Sequence, residues 1–133
     1  MSDNTFTVTV WDEKVVSGEE GQPRFANAHT ENRYNGLIQG TSACDYLLHY
    51  VGPGFASGTT TAHGLERIEG SVAGRSGTFM IKHELRYSAE GIEATFAVVD
   101  GSGTGELAGL RGQGSYSAKV AVHEVPYTFT YSL

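Results

Sequence analysis

The sequence predicts an all-β fold: an eight-stranded antiparallel β-barrel, with residues 1–133 as one domain. Three observations carry this. Apolar residues recur with period two in eight runs, while no segment sustains the 3.6 period of an amphipathic helix. Glycine is 18 of the 133 residues and charged residues are only 18%, a strand-and-turn composition unlike that of a helical bundle. Turn-forming residues fall between the runs. A barrel suits such short consecutive strands because closure removes exposed sheet edges; a sandwich is the alternative.

The first run alternates Phe6, Val8 and Val10 with Thr5, Thr7, Thr9 and Trp11. Ala26, Ala28, Thr30 and Tyr34 mark the second, and Ile38, Ser42, Cys44, Tyr46, Leu48 and Tyr50 the third. The fourth begins near Ala62 and carries Ile68 and Val72. Phe79, Ile81, His83 and Leu85 make the fifth, and Ile92, Ala94, Phe96 and Val98 the sixth. Tyr116, Ala118, Val120 and Val122 form the seventh; Tyr127, Phe129, Tyr131 and Leu133 close the chain. Asn35-Gly36 is a type I′ hairpin signal, and Gly74-Arg75, Ala89-Glu90-Gly91 and Glu124-Val125-Pro126 are further turns. Longer loops are expected at Ser17–Gln22 and Gly52–Gly58.

These turns set expected registers. A turn at Gly74-Arg75 places Glu66 opposite His83 and Ile68 opposite Ile81. One at Ala89-Glu90 places His83 opposite Phe96 and Ile81 opposite Val98. The last hairpin sets Val120 against Phe129 and Ala118 against Tyr131. Each register brings apolar sets face to face, as a buried face requires.

Several function classes are disfavoured. A net charge of −6 does not suit a general nucleic-acid or anionic-membrane surface. Cys44 is the one cysteine, so an internal disulfide is excluded. The N-terminus lacks a secretory pattern and no apolar run approaches the ~20 residues of a membrane helix, so a soluble cytoplasmic protein is expected. The segment Gly101–Gly112 is glycine-dense, but it has no Walker lysine and lies between strands, so no nucleotide cofactor is expected. It reads instead as a tight crossover in which Gly103 or Gly105 takes a positive φ, and Leu107 and Leu110 plug the barrel end. The five histidines show no metal-ligand spacing, so no metal is expected. No G-x-S-x-G elbow is present.

Glu66 and His83 are the candidate catalytic residues. By parity both point inside with Ile68, Phe79, Ile81 and Phe96. A carboxylate inside a small barrel costs several kcal/mol unless paired, as an order-of-magnitude figure of about 3–5. A Glu–His pair that shares a proton is an acid/base device near neutral pH; a structural polar pair that fixes register is the alternative. Cys44 reads as a small buried residue of the lining, since nothing local would activate its thiol. Tyr46, Phe79, Phe96 and Tyr131 complete the candidate ligand-binding lining, and Asp45 joins it if a bulge in the third strand turns it inward.

Gly64–Gly70, Gly74–Phe79 with Lys82-His83, and Gly101–Gly112 together resemble a bacterial family of uncharacterised small proteins, domain of unknown function 3224. The likeness runs from Thr5–Trp11 to Tyr127–Leu133. That family's fold resembles allene oxide cyclase and the plant dirigent proteins. These relatives hold apolar, oxygenated molecules in the barrel and steer ring closure or coupling without a cofactor. The resemblance implies an isomerase or cyclase acting on such a molecule, with a non-catalytic, lipocalin-like binding barrel as the alternative; it assigns no catalytic residue. Outward Leu47, Leu65 and Val99 suggest a homodimer or homotrimer.

Overall fold

The computed structural model describes residues 4–54, 58–119 and 122–133. Eight strands follow one another: β1 (Thr5–Gly18), β2 (Arg24–Asn35), β3 (Ile38–Tyr50), β4 (Thr60–Val72), β5 (Arg75–Ser88), β6 (Gly91–Val98), β7 (Arg111–Ala118) and β8 (Glu124–Ser132). A 3₁₀ turn, Gly105–Leu107, lies between β6 and β7. Each strand pairs antiparallel with the next, and β8 returns to β1, so one sheet closes in a ring. Among the described residues, no helix is long and apolar enough to cross a membrane.

The period-two pattern becomes the inside and outside of this ring. Along β3, buried Ile38, Ser42, Cys44, Tyr46, Leu48 and Tyr50 alternate with residues that are mostly exposed. The core holds Phe79, Ile81, Phe96, Tyr116, Tyr127 and Phe129 from the later strands.

One end of the ring is closed. β6 stops at Val98 and pairs with β5 only from Ile81 onward, which leaves the first part of β5 without a strand neighbour on that side. The glycine-dense loop takes that place. Thr104 N–H donates to the Thr78 carbonyl at 2.9 Å, Thr78 N–H to Thr104 Oγ1 at 3.1 Å and Met80 N–H to Ser102 Oγ at 3.0 Å. Gly105 has φ +61°, as expected for one of the two glycines. Leu107 and Leu110 are buried and plug this end.

The other end is open. β1 pairs with β8 only over Thr5–Thr7, so from Val8 onward its sole ladder partner is β2. A register shift between Val8 and Val10 then reverses the parity of β1. Trp11 comes opposite Thr30 and Glu13 opposite Ala28, on the inner face. The sequence alternation had put Trp11 on the other side from Val8.

Two hairpin registers differ from expectation. The β4–β5 turn is Ala73-Gly74, with φ +50° and +84°, the two positive values a type I′ turn needs. Glu66 therefore pairs with Ile81, and His83 with Gly64. The shift is two residues, so parity and the inward faces survive. In β7–β8, Gly114 pairs with Phe129 and Gly112 with Tyr131, because the connection is longer and β8 begins at Glu124. Val120 lies outside the described residues, and Val122 is exposed beyond the end of β7. The β5–β6 register matches expectation, with His83 opposite Phe96 and Ile81 opposite Val98.

Candidate functional site

Glu66 and His83 meet inside the ring. His83 Nε2 lies 2.6 Å from Glu66 Oε1, and both side chains are 1% exposed. They are diagonal neighbours across β4 and β5, and the position directly opposite His83 is Gly64. The Tyr46 ring occupies the space a side chain there would need: a Cβ on Gly64 would stand 2.4 Å from Tyr46 Cδ1. Phe96 lies over Gly114 in the same manner, with a Cβ there 2.5 Å from its Cζ. These rings and Tyr116 surround the imidazole at centroid distances of 5.5, 5.9 and 5.8 Å.

The Glu66 carboxylate accepts from four side chains. Tyr34 Oη donates at 2.9 Å to both oxygens, Asn32 Nδ2 donates at 3.1 Å, Ser42 Oγ is closer still, and His83 supplies the fourth contact. Asn32 also reaches Thr30 Oγ1 and Ser42 Oγ. The other ring nitrogen, Nδ1, lies 2.9 Å from Tyr116 Oη, so His83 links Glu66 to Tyr116. Burial holds the Tyr34 phenol well above its ordinary pKa, reinforced by the Glu66 charge, and burial likewise raises Tyr46 and Tyr116. Burial, then Glu66, pushes the Cys44 thiol up as well.

Cys44, Glu66 and His83 offer ligand atoms within 4.8 Å of one another. The donor types suit zinc in kind. One feature of the site opposes it: the carboxylate oxygens are already engaged by four donors. Burial and the nearby Glu66 raise the pKa of the Cys44 thiol, which disfavours the thiolate a nucleophile needs.

A second constellation stands at the open end. A cleft of about 380 Å³ is lined by Trp11, Glu13, Leu48, Tyr50, Tyr87 and Ile92, with Val122 and Val125 on the far side. Tyr50 Oη donates to Glu13 at 2.6 Å and Trp11 Nε1 donates to it at 3.2 Å. The Arg24 guanidinium lies 4.0 Å from the Tyr50 ring centroid and donates to the carbonyls of Gln22, Gly52 and Pro53.

The model of the protein family of unknown function DUF3224 matches residues 2–131. The chain belongs to the DUF3224 family. A crystal structure of a DUF3224 protein of unknown function from Shewanella oneidensis MR-1 superposes with a TM-score of 0.70 over 98% of each chain at 21% identity, a likeness of fold. No functionally curated protein matches this DUF3224 chain.

In this DUF3224 protein the interior gathers Glu66, His83, Cys44, Tyr46, Phe79 and Phe96, all buried. Tyr131 has inward parity but is 39% exposed at the rim, stacked on Phe129 at 5.8 Å. Asp45 faces outward. The registers of β3 run without a bulge, and Asp45 meets His29 on the outer surface at 3.1 Å. Its proposed place in the lining is therefore corrected. Sequence reasoning missed Asn32 as a partner of Glu66, although Ala26, Ala28 and Thr30 share its parity. It also missed Trp11, Glu13 and Tyr87 at the mouth. The first two were hidden by the bulge in β1 between Val8 and Val10, whose faint trace is the adjacent Val10-Trp11 that breaks alternation.

Proposed function

We propose that this DUF3224 protein binds an apolar, oxygenated small molecule at the open end of the ring. The observation that carries the reading is the cleft of about 380 Å³ lined by Trp11, Leu48, Tyr50, Tyr87 and Ile92, with a single carboxylate, Glu13, among them. A mostly apolar concavity with few convergent polar groups is the usual form of a small-molecule site. Glu13 accepts hydrogen bonds, so a hydroxyl or amine on the ligand would orient there. The allene oxide cyclase-like, calycin-type relationship belongs to this proposal and fits a ring with one plugged end. Trp11 is the sole tryptophan, so its emission reports the site directly. A saturable change on titration with a medium-chain alkan-1-ol is expected; an unchanged spectrum throughout would sink the reading.

An isomerase or cyclase is the second reading. The 2.6 Å Glu66–His83 contact and the Tyr116 link to His83 favour it, since they form a proton-transfer chain. Burial of both side chains argues for binding as the leading reading. Mass spectrometry of a co-purifying molecule after exchange into D₂O separates the two. Turnover through the dyad gives deuterium on carbon with the native protein and none with His83→Gln.

Association belongs to the same proposal. Leu47 and Leu65 are exposed diagonal neighbours on the outside of β3 and β4. They support a homodimer or homotrimer, which light scattering would detect and a Leu65→Asp substitution would dissociate.

A further inference from the structure

Glu13 is unusual among the exposed carboxylates of this chain. It sits on the inner face of β1, opposite Ala28, where the ring opens. Two aromatic side chains donate to it, Tyr50 through its hydroxyl and Trp11 through its indole N–H. The same cleft brings in a third ring, Tyr87. A fixed carboxylate beside aromatic rings can recognise an organic cation, by charge at the carboxylate and by the ring faces that line the same cleft.

We propose that the mouth selects an organic cation, an ammonium or N-methylated amine that carries an apolar tail. This rests on the reading of the cleft as the ligand site. The cationic head lies at Glu13 between Trp11 and Tyr87, and the tail runs inward along Leu48, Ile92 and Val125. The wall already shows this chemistry once, since the Arg24 guanidinium stands over Tyr50. Arg24 is itself committed to three backbone carbonyls and to Glu20 at 3.7 Å, so it is part of the wall and leaves Glu13 to the ligand. Lys119 also lines the cleft and, with Arg24 in the wall behind Tyr50, opposes a bound cation. The net charge of −6 adds a long-range attraction for cations.

The test compares three probes of one chain length: an alkyltrimethylammonium, the alkan-1-ol and the fatty carboxylate. Each is titrated below its micelle threshold while Trp11 emission is followed. The ammonium is expected to bind about 10-fold more tightly than the alcohol, with the carboxylate weakest. Glu13→Gln keeps an acceptor for Tyr50 and should bring the ammonium down to the affinity of the alcohol, with circular dichroism unchanged. Lys119→Ala should tighten the ammonium further. Equal affinity for ammonium and alcohol in the native protein overturns cation selection and leaves the mouth as a ligand site. Preference for the carboxylate, or an ammonium preference that survives Glu13→Gln, also overturns it. If none of the probes perturbs Trp11, the reading of the mouth itself fails.

Discussion

Two regions on the inner face of this ring each centre on a carboxylate, and they handle it in opposite ways. Glu66 lies in the closed interior at 1% exposure, with contacts from Tyr34, Asn32, Ser42 and His83. Glu13 lies where β1 has lost its β8 neighbour, exposed, with Tyr50 and Trp11 as donors. A buried charge must be met on nearly every side, and the fold commits polar residues from three strands, β2, β3 and β5, to do so. A charge at a mouth needs only orientation, because water or a ligand completes its coordination. The first arrangement specifies the fold; the second leaves room for recognition.

The largest expected effect comes from the phenols around Glu66. Tyr34, Tyr46 and Tyr116 have folded pKa values raised above 10.0 by burial, whereas an unfolded chain ionises near 10.0. Their stabilisation is thus complete below that value and is lost as pH rises above it, because the unfolded state then binds fewer protons. Above about pH 10 the fall should steepen toward a limit of about 1.4 kcal/mol per phenol for each pH unit. Denaturant melts between about pH 9 and 11 measure this. A flat profile would show that the phenols ionise in the folded protein and that the layer is not sealed.

Glu66→Ala comes next. It leaves a buried imidazole, amide and two hydroxyls without their shared acceptor and should cost about 3–5 kcal/mol. Glu13→Ala, judged by the same melts, should cost less than about 1 kcal/mol. Equal costs at the two positions would erase the distinction between them.

How much of this could be read from the sequence follows from what parity does and does not fix. The inward placement of Glu66 and His83 was legible because a two-residue register error preserves the face. The error arose because the turn falls on Ala73-Gly74, with Ala73 taking a positive φ, one residue before the expected Gly74-Arg75. Leu107 and Leu110 were legible as a plug from their place in a glycine-dense crossover. The mouth was not, since a single extra residue near Thr9 reverses β1 and leaves composition unchanged. The β7–β8 register failed for a related reason: Glu124-Val125-Pro126 look like a turn, yet they pair with Thr5–Thr7 to close the ring.

The plugged end offers a sharper contrast with the mouth. A Cβ on Gly103 would stand 1.9 Å from the Leu107 carbonyl oxygen, whereas one on Gly105 would stand 3.0 Å from that of Ser76. Gly105→Ala should cost about 1 kcal/mol through its positive φ, and Gly103→Ala should cost more because backbone must move. If both variants matched the native thermal midpoint, the closed end would be as tolerant as the open one.

The smallest effect tests whether Glu13 is held at all. The 2.6 Å bond from Tyr50 is charge-assisted, but one partner is exposed, so its net worth is reduced by solvent. A double-mutant cycle with Glu13→Ala and Tyr50→Phe should return a coupling of about 0.5–1 kcal/mol. Tyr50→Phe keeps the ring beneath Arg24 and removes only the hydroxyl, so the cycle isolates the bond rather than the stacking. A coupling indistinguishable from zero, with a Glu13–Trp11 cycle equally flat, would mean that Glu13 swings freely. The mouth would then present an unoriented carboxylate, and the contrast with Glu66 would reduce to burial alone.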